Sequence, residues 1–251
     1  MKPTLLRVLL GLATLLVAAL ATAAPGLPFA RDALRSVVAA CQVSKATVGL
    51  SFPCTDVKLD SPSAEGFAVI RSPGFASEFL LSPLASYDGI ESPDLQADKA
   101  TDLWQAAWAM RDDVAAALGR ELGRSDLALV VNASGTRTQD HFHIHLDCLR
   151  ESVGQSLMTS RSGITDTWAR LRSPLRGRTY WARSIASADL SGVNIPRLIA
   201  AAPPAADHPM DHVTLAVVGA TLSNGADGFY LLANWQNASA ERLLDHHCRQ
   251  G

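Results

Sequence analysis

Apolar residues follow two different periods along the 251-residue chain. Between 99 and 118 they recur every three or four residues, which predicts one amphipathic helix with the stripe Leu103, Ala107, Met110, Val114 and Leu118. Shorter segments predict strands at 66–71, 78–84, 127–132, 141–146, 177–185, 212–218 and 228–233. Further helices are predicted at 31–41, at 150–173, and from Ser239 into the segment that carries Cys248. This order predicts an α+β fold, with an antiparallel sheet and helices packed mainly on one face.

Three histidines alternate with apolar residues in the predicted strand 141–146. Because strand side chains point alternately to the two faces, His141, His143 and His145 share one face and leave the apolar residues to the core. With seven histidines in the chain, this spacing arises by chance in roughly one case in a thousand, which disfavours a purely structural row. Such a row fits either metal binding or covalent catalysis, in which one imidazole attacks phosphorus.

The composition indicates one well-packed domain rather than a nucleic-acid-binding protein. Hydrophobic residues make up 48% of the chain and the formal net charge is −2, so a sizeable core can form without an overall positive field. A phosphate-bearing substrate therefore needs a local basic cluster. The segment 161–183 is rich in arginine, and Arg176 and Arg178 are candidates to hold a diphosphate in bidentate geometry.

The N-terminal residues are typical of an export signal. Lys2 and Arg7 precede an apolar stretch at 8–24, and Ala21-Thr22-Ala23 matches the small-residue cleavage pattern. The stretch is also long enough to span a bilayer, so residues 1–23 are either a cleaved signal peptide or an uncleaved anchor. In both cases we expect residues 24–251 to form the domain and to lie outside the cytoplasm.

The four cysteines agree with an exported protein. Cys41, Cys54, Cys148 and Cys248 allow three pairings, and they lack the C-x-x-C spacing of a zinc or redox site. We favour Cys41 with Cys54, which closes a short loop and leaves Cys148 with Cys248. The other two pairings stay open on the sequence alone.

The segment around the histidines resembles a known family. His-Phe-His-Ile-His-Leu is similar to the signature of the histidine-triad superfamily, and the wider string resembles its CDP-diacylglycerol pyrophosphatase branch: Asn132 and Gly135-Thr136-Arg137-Thr138-Gln139-Asp140-His141. The resemblance extends to the paired tryptophans near Arg111, to Leu175-Arg176-Gly177 and to Asp245-His246-x-Cys248. Asp147 and Arg137 depart from the general triad pattern, but the pyrophosphatase branch carries the arginine.

The resemblance implies a hydrolase that cleaves CDP-diacylglycerol to CMP and phosphatidate at the periplasmic side of a bacterial inner membrane. His143 would be the nucleophile and form a cytidylyl-histidine intermediate, flanked by His141 and His145. The residues expected to bind the substrate are Asn132, Arg137, Thr138, Gln139, Arg176 and Arg178. We expect no metal or other cofactor and no nucleic-acid partner. The expected partner is the lipid substrate at the membrane surface, and a homodimer stays possible on the sequence alone.

Two other functions stay open on the sequence. One is an exported metal-binding protein with His141, His143 and His145 as ligands; the other is a hydrolase of soluble nucleotide diphosphates. The Thr-Arg-Thr-Gln loop argues against the metal binder, and a retained anchor would argue against the soluble substrate. We expect His246 and His247 to have surface or packing roles. Asp147 either tunes an imidazole or ends its strand in solvent.

Overall fold

A computed structural model describes residues 31–60 and 64–249, and its central feature is one nine-stranded antiparallel sheet. In chain order the strands are β1 (Asp56–Lys58), β2 (Phe67–Arg71), β3 (Phe79–Pro83), β4 (Leu127–Val131), β5 (Ile144–Cys148), β6 (Ala169–Arg170), β7 (Trp181–Ile185), β8 (Thr214–Thr221) and β9 (Asp227–Asn234). Across the sheet they lie in the order β1-β2-β3-β5-β4-β8-β9-β7-β6. The predicted hairpins β2–β3 and β8–β9 are both present.

The α-helices are α1 (Ala33–Val48), α2 (Asp102–Ala109), α3 (Arg111–Leu118), α4 (Glu151–Ser160) and α5 (Ile195–Ala200). The prediction of a single helix at 99–118 is wrong in one respect, because the helix is interrupted at Met110 and forms two helices, α2 and α3. There the amide of Met110 donates to the Ala107 carbonyl, only three residues back. The Arg111 guanidinium bonds the Trp108 carbonyl at 3.3 Å, which offsets the lost helical hydrogen bond.

The two faces of the sheet carry separate cores. On one face α2, α3 and α5 pack over a large cluster that contains Phe142, Ile144 and Leu146, the residues predicted to face the core. On the other face α1 covers β1 and β2, and α4 packs beside β4 and β8. The predicted α+β class with an antiparallel sheet is confirmed, and among the described residues three of five α-helices share one face.

The strand predicted at 141–146 begins later, at Ile144, and continues to Cys148. Residues 141–143, before Ile144, are not part of the strand, because the backbone of Phe142 is hydrogen-bonded to groups outside the strand ladder. The amide of Phe142 donates to the Tyr87 carbonyl at 2.7 Å, and the Ser82 hydroxyl donates to the Phe142 carbonyl at 2.9 Å. His141 and His143 therefore lie on an irregular segment that leads into β5.

The helix predicted from Ser239 onward is wrong beyond its first turn. A 3-10 turn covers Ala240–Leu243, and the Ser239 side chain does not cap it. The chain then extends alongside the end of β5, where the Asp245 amide donates to the Cys148 carbonyl at 2.9 Å. This pairing and the Cys148–Cys248 disulfide replace the helical hydrogen bonds.

Both favoured disulfides are present, Cys41–Cys54 and Cys148–Cys248. The first fastens the middle of α1 to the loop that follows the helix, and the second fastens the C-terminal segment to the end of β5. The predicted signal peptide or anchor at 1–23 lies outside the described residues. Within the described part of the chain, none of the helices has the length and apolar character needed to cross a bilayer.

Candidate active site

The middle histidine of the row is oriented by its own backbone. Nδ1 of the buried His143 lies 2.7 Å from the carbonyl oxygen of His141. Because a carbonyl can only accept, this contact places the ring proton on Nδ1. Nε2 is left as the nitrogen with the available lone pair, as a nucleophilic imidazole requires.

Burial keeps the ring of His143 in its neutral form. It lowers the pKa of His143 to about 3, and the neighbouring His145 lowers it further, while the hydrogen bond to the His141 carbonyl opposes the shift. Burial also lowers the pKa of His141, whose Nε2 donates to the Pro83 carbonyl at 3.1 Å. At neutral pH both rings are uncharged.

His145 is held by a buried glutamate from the neighbouring strand region. Its ring centroid lies 4.8 Å from that of His143, and its Nδ1 lies 2.9 Å from Oε1 of Glu78. Burial raises the pKa of Glu78, but the hydrogen bonds from His145 and Ser72 and the nearby histidines together outweigh burial and lower it. The carboxylate therefore accepts from Nδ1. Nε2 of His145 is buried and has no hydrogen-bond partner among residues 31–60 and 64–249.

A fourth histidine extends this network. Nδ1 of His246 lies 2.8 Å from Oδ2 of Asp147 and 3.6 Å from Oε1 of Glu78, and its ring stacks on Phe75. The hydrogen bond to Asp147 and the charge of Glu78 raise the pKa of His246 against the effect of burial. Asp147 is fully buried and is not a solvated strand end. Successive contacts thus connect Asp147 to His246, His246 to Glu78 and Glu78 to His145, whose ring lies next to that of His143.

Asn132 fixes the segment beside His145 rather than pointing freely into the site. Its Nδ2 donates to Oε1 of Glu241, and its Oδ1 accepts from the Ala240 amide at 2.8 Å. Glu241 in turn places the same oxygen 3.7 Å from Nε2 of His145. Asn132 is therefore a link between β4 and the 3-10 turn.

Arg137 is a predicted loop residue that lies beside the row. It lines one small cavity together with Asn132, His141 and His143. Its guanidinium is held by Glu91 at 2.8 Å and by Asp140 at 3.0 Å, and its side chain is only 9% exposed. A fixed positive group beside a neutral imidazole suits the binding of a phosphate oxygen.

The other predicted substrate-binding residues are placed less directly. Oε1 of Gln139 accepts from the Leu34 amide at 2.8 Å, so this carbonyl joins the loop to the start of α1. Thr138 is exposed on the same loop. Arg176 and Arg178 lie on an exposed turn closed by the Leu175–Arg178 bridge, and the structure shows no contact between them and the row.

Two groups of side chains in the described part of the chain bring ligand atoms close enough to share a metal ion around Glu78. One group joins Glu78 with His145 and Glu241, and the other joins it with Asp147 and His246. The three histidines of the row do not form such a group among the described residues. Nδ1 of His143 and Nε2 of His141 are instead bonded to carbonyl oxygens. The row is therefore arranged differently from the metal site considered above.

The chain matches the family described as CDP-diacylglycerol pyrophosphatase over residues 29–251. It belongs to the CDP-diacylglycerol pyrophosphatase family. A protein of Yersinia pestis named CDP-diacylglycerol pyrophosphatase is 32% identical over 203 residues, which cover 78% of this chain and 76% of the relative. The resemblance inferred from the histidine segment is thus confirmed for this family and its enzyme class, while the wider histidine-triad relationship stays a prediction.

In this member of the CDP-diacylglycerol pyrophosphatase family, sequence reasoning missed the acidic half of the network. Glu78 and Glu241 carry no motif, and they reach His145 only through the strand order and the C-terminal segment. A signal existed for the other two residues. Asp147 continues the alternation of the row by two positions, and His246 belongs to the Asp-His-x-Cys string. His247 is exposed, as expected of a surface residue.

Proposed function

We propose that this chain hydrolyses CDP-diacylglycerol to CMP and phosphatidate, with His143 as the nucleophile. The observation that carries the proposal is the neutral ring of His143, whose Nδ1 is fixed by the His141 carbonyl at 2.7 Å. Nε2 attacks the phosphorus that carries cytidine, a P–N bond forms, and the bond to the phosphatidate oxygen breaks. Water then attacks the cytidylyl-histidine intermediate, which releases CMP and regenerates the free imidazole.

The residues around His143 have separate roles in this proposal. Nε2 of His145, which is buried and has no hydrogen-bond partner within the described chain, would contact the phosphoryl group or the leaving oxygen. Arg137 binds a phosphate oxygen as negative charge moves in the transition state. The Glu78 carboxylate fixes the orientation of His145, in the way that a buried acid orients a catalytic imidazole. Thr138 and Gln139 stay candidates for binding phosphate, and Arg176 and Arg178 require a substrate that extends to their turn.

We also propose that the domain acts outside the cytoplasm, at the periplasmic side of a bacterial inner membrane. The two disulfides support this location, because such bonds persist in oxidising compartments. A membrane-embedded substrate is expected to meet the enzyme there.

The first test is a mixed-micelle assay of CDP-diacylglycerol hydrolysis in EDTA with wild type and His143→Ala. The exposed His208 supplies a matched control, His208→Ala. We expect His143→Ala to lower CMP release by at least about 1000-fold, as loss of a covalent nucleophile does, and His208→Ala to leave it unchanged. Rapid quenching in base should trap CMP on wild-type protein through an acid-labile bond.

Other outcomes have distinct meanings. Activity retained by His143→Ala removes the nucleophile assignment. Complete loss of wild-type activity in EDTA replaces it with a metal-dependent reaction, for which the groups around Glu78 are the candidates. Faster cleavage of a soluble CDP ester than of CDP-diacylglycerol would favour the soluble-nucleotide alternative.

A further inference from the structure

Five of the six large apolar side chains that are strongly exposed in the described part of the chain belong to one stretch of sequence. Val43, Val48, Leu50, Phe52 and Leu59 are 45% to 70% exposed, and together they form what we call the 43–59 patch. It covers the C-terminal half of α1 and the loop that the Cys41–Cys54 disulfide fastens to that helix. Clustered apolar exposure of this kind marks interaction surfaces.

The charges around the patch are few, and acidic side chains occur only at its border. Residues 33–55 contain no Asp or Glu and include Lys45, whereas Asp56, Lys58 and Asp60 lie at the border of the patch. The acidic residues at the border are engaged locally, because Asp56 pairs with Lys58 at 3.2 Å and Asp60 accepts from the Gly66 amide at 2.8 Å. Apolar side chains next to lysines fit the interface of an anionic lipid bilayer.

The same helix connects the patch to the active site. At its start, the Leu34 amide donates to Gln139, and Arg31 and Arg35 bond Asp140 of the loop that carries Arg137. The 16 residues of α1 then extend for about 24 Å toward the patch. A contact made at the patch therefore fixes the distance and orientation of the catalytic loop relative to the contacted surface.

We propose that the 43–59 patch is a membrane-docking surface, which seats in the headgroup region of an anionic bilayer and holds the active site next to its lipid substrate. The inference rests on the proposed function, because the occupant is the bilayer that contains CDP-diacylglycerol. The absence of acidic residues from 33–55 and the position of Lys45 among the apolar side chains favour this occupant, because an acidic group there would oppose an anionic bilayer.

The direct test places a fluorescent reporter in the patch of the full chain. Phe52 is 70% exposed, so Phe52→Trp places the reporter on the surface of the patch. Ala116→Trp, on the exposed side of α3 across the sheet, is the control. With vesicles of phosphatidylglycerol that carry brominated acyl chains, we expect added quenching for Phe52→Trp and only the wild-type level for Ala116→Trp. No added quenching at position 52, or equal quenching at both positions, overturns the proposal.

A kinetic test separates docking from catalysis. Val48→Ser with Phe52→Ser should lower hydrolysis of CDP-diacylglycerol in vesicles by about 10-fold or more and leave hydrolysis of a monomeric short-chain CDP-diacylglycerol unchanged. The control Met158→Ser removes a side chain that is 67% exposed elsewhere and should change neither rate. An equal vesicle loss in the control, or conversion of a dimer to a monomer by the patch variant, overturns membrane docking.

The two proposals fail in different ways. If wild type cleaves neither substrate, the proposed function is wrong, and quenching at position 52 still decides whether the patch meets lipid. If the patch variant loses both activities together, its fold is damaged, and the tryptophan variants decide alone.

Discussion

The neutral state of His143 links the acid chemistry of the site to the stability of the fold. Burial lowers its pKa from an ordinary value near 6.5 to about 3. Between these values the unfolded chain binds a proton on this residue and the folded chain does not. Acidification therefore favours the unfolded state across this window, so the contribution of neutral His143 to stability is present above pH 6.5 and lost as pH falls.

We predict that His143→Asn removes part of the acid sensitivity. Between pH 6 and pH 4, the free energy of unfolding of wild type should fall more steeply than that of the variant, by up to about 1.4 kcal/mol per pH unit. Urea unfolding followed by circular dichroism at several pH values measures both slopes. Parallel slopes would mean that His143 is protonated in the folded protein over this range.

Glu78 tests whether the orientation of His145 matters. Glu78→Gln keeps the shape of the side chain but removes the charge that holds Nδ1–H of His145, so we predict a fall in kcat on the order of 100-fold or more. Glu65→Gln is the control, because Glu65 is also buried and bonds the Tyr87 hydroxyl at 2.9 Å. A changed pH profile of kcat in Glu78→Gln alone supports a positioning role; equal losses in both variants would indicate general damage.

At the scale of elements, β5 and the C-terminal segment act as one unit. Asp147 of β5 bonds His246, and the neighbouring Cys148 is bridged to Cys248. The disulfide closes a loop with a sequence separation of 100, whereas Cys41–Cys54 spans only 13. Because a longer loop loses more entropy in the unfolded chain, the Cys148–Cys248 bond is expected to stabilise more, by about 4 to 5 kcal/mol against about 3.

We predict that Cys148→Ser with Cys248→Ser lowers kcat as well as stability, since it releases the segment that carries His246. Cys41→Ser with Cys54→Ser should lower stability but keep kcat on a short-chain substrate. Thermal unfolding and initial rates, both measured well below the transition of each variant, separate the two effects. Equal kcat values in the two double variants would show that the position of His246 does not affect catalysis.

The alternation in 141–146 was sufficient to predict which residues enter the core and which carry chemistry. Phe142, Ile144 and Leu146 are buried on the core face, although the strand itself begins only at Ile144. The partners of the row were not predictable from that pattern. Glu78 reaches His145 from 67 positions away, and Asn132 reaches Glu241 across 109, so only the strand order and the C-terminal disulfide bring them together.

At the scale of the whole molecule, the contacts described for the site come from residues 75–246, and residues 31–35 at the start of α1 add their support. We therefore predict that a chain beginning at Ala24 folds and keeps kcat on short-chain CDP-diacylglycerol within about two-fold, because none of these contacts needs residues 1–23. Initial rates and thermal unfolding of the two chains provide the comparison. A large loss of both would place the N-terminal segment within the folded domain.

The strand order also determines when the site can form during folding. The hairpins β2–β3 and β8–β9 join neighbouring segments, but β3 must dock on β5 and β4 on β8 across long stretches of chain. Sheets dominated by such non-local pairings fold in milliseconds to seconds. Glu78 meets His145 only after β3 has docked, and His246 arrives only with the C-terminal segment. In refolding experiments the return of activity should consequently lag behind the return of β-sheet signal, and it reports the final docking step rather than the initial collapse.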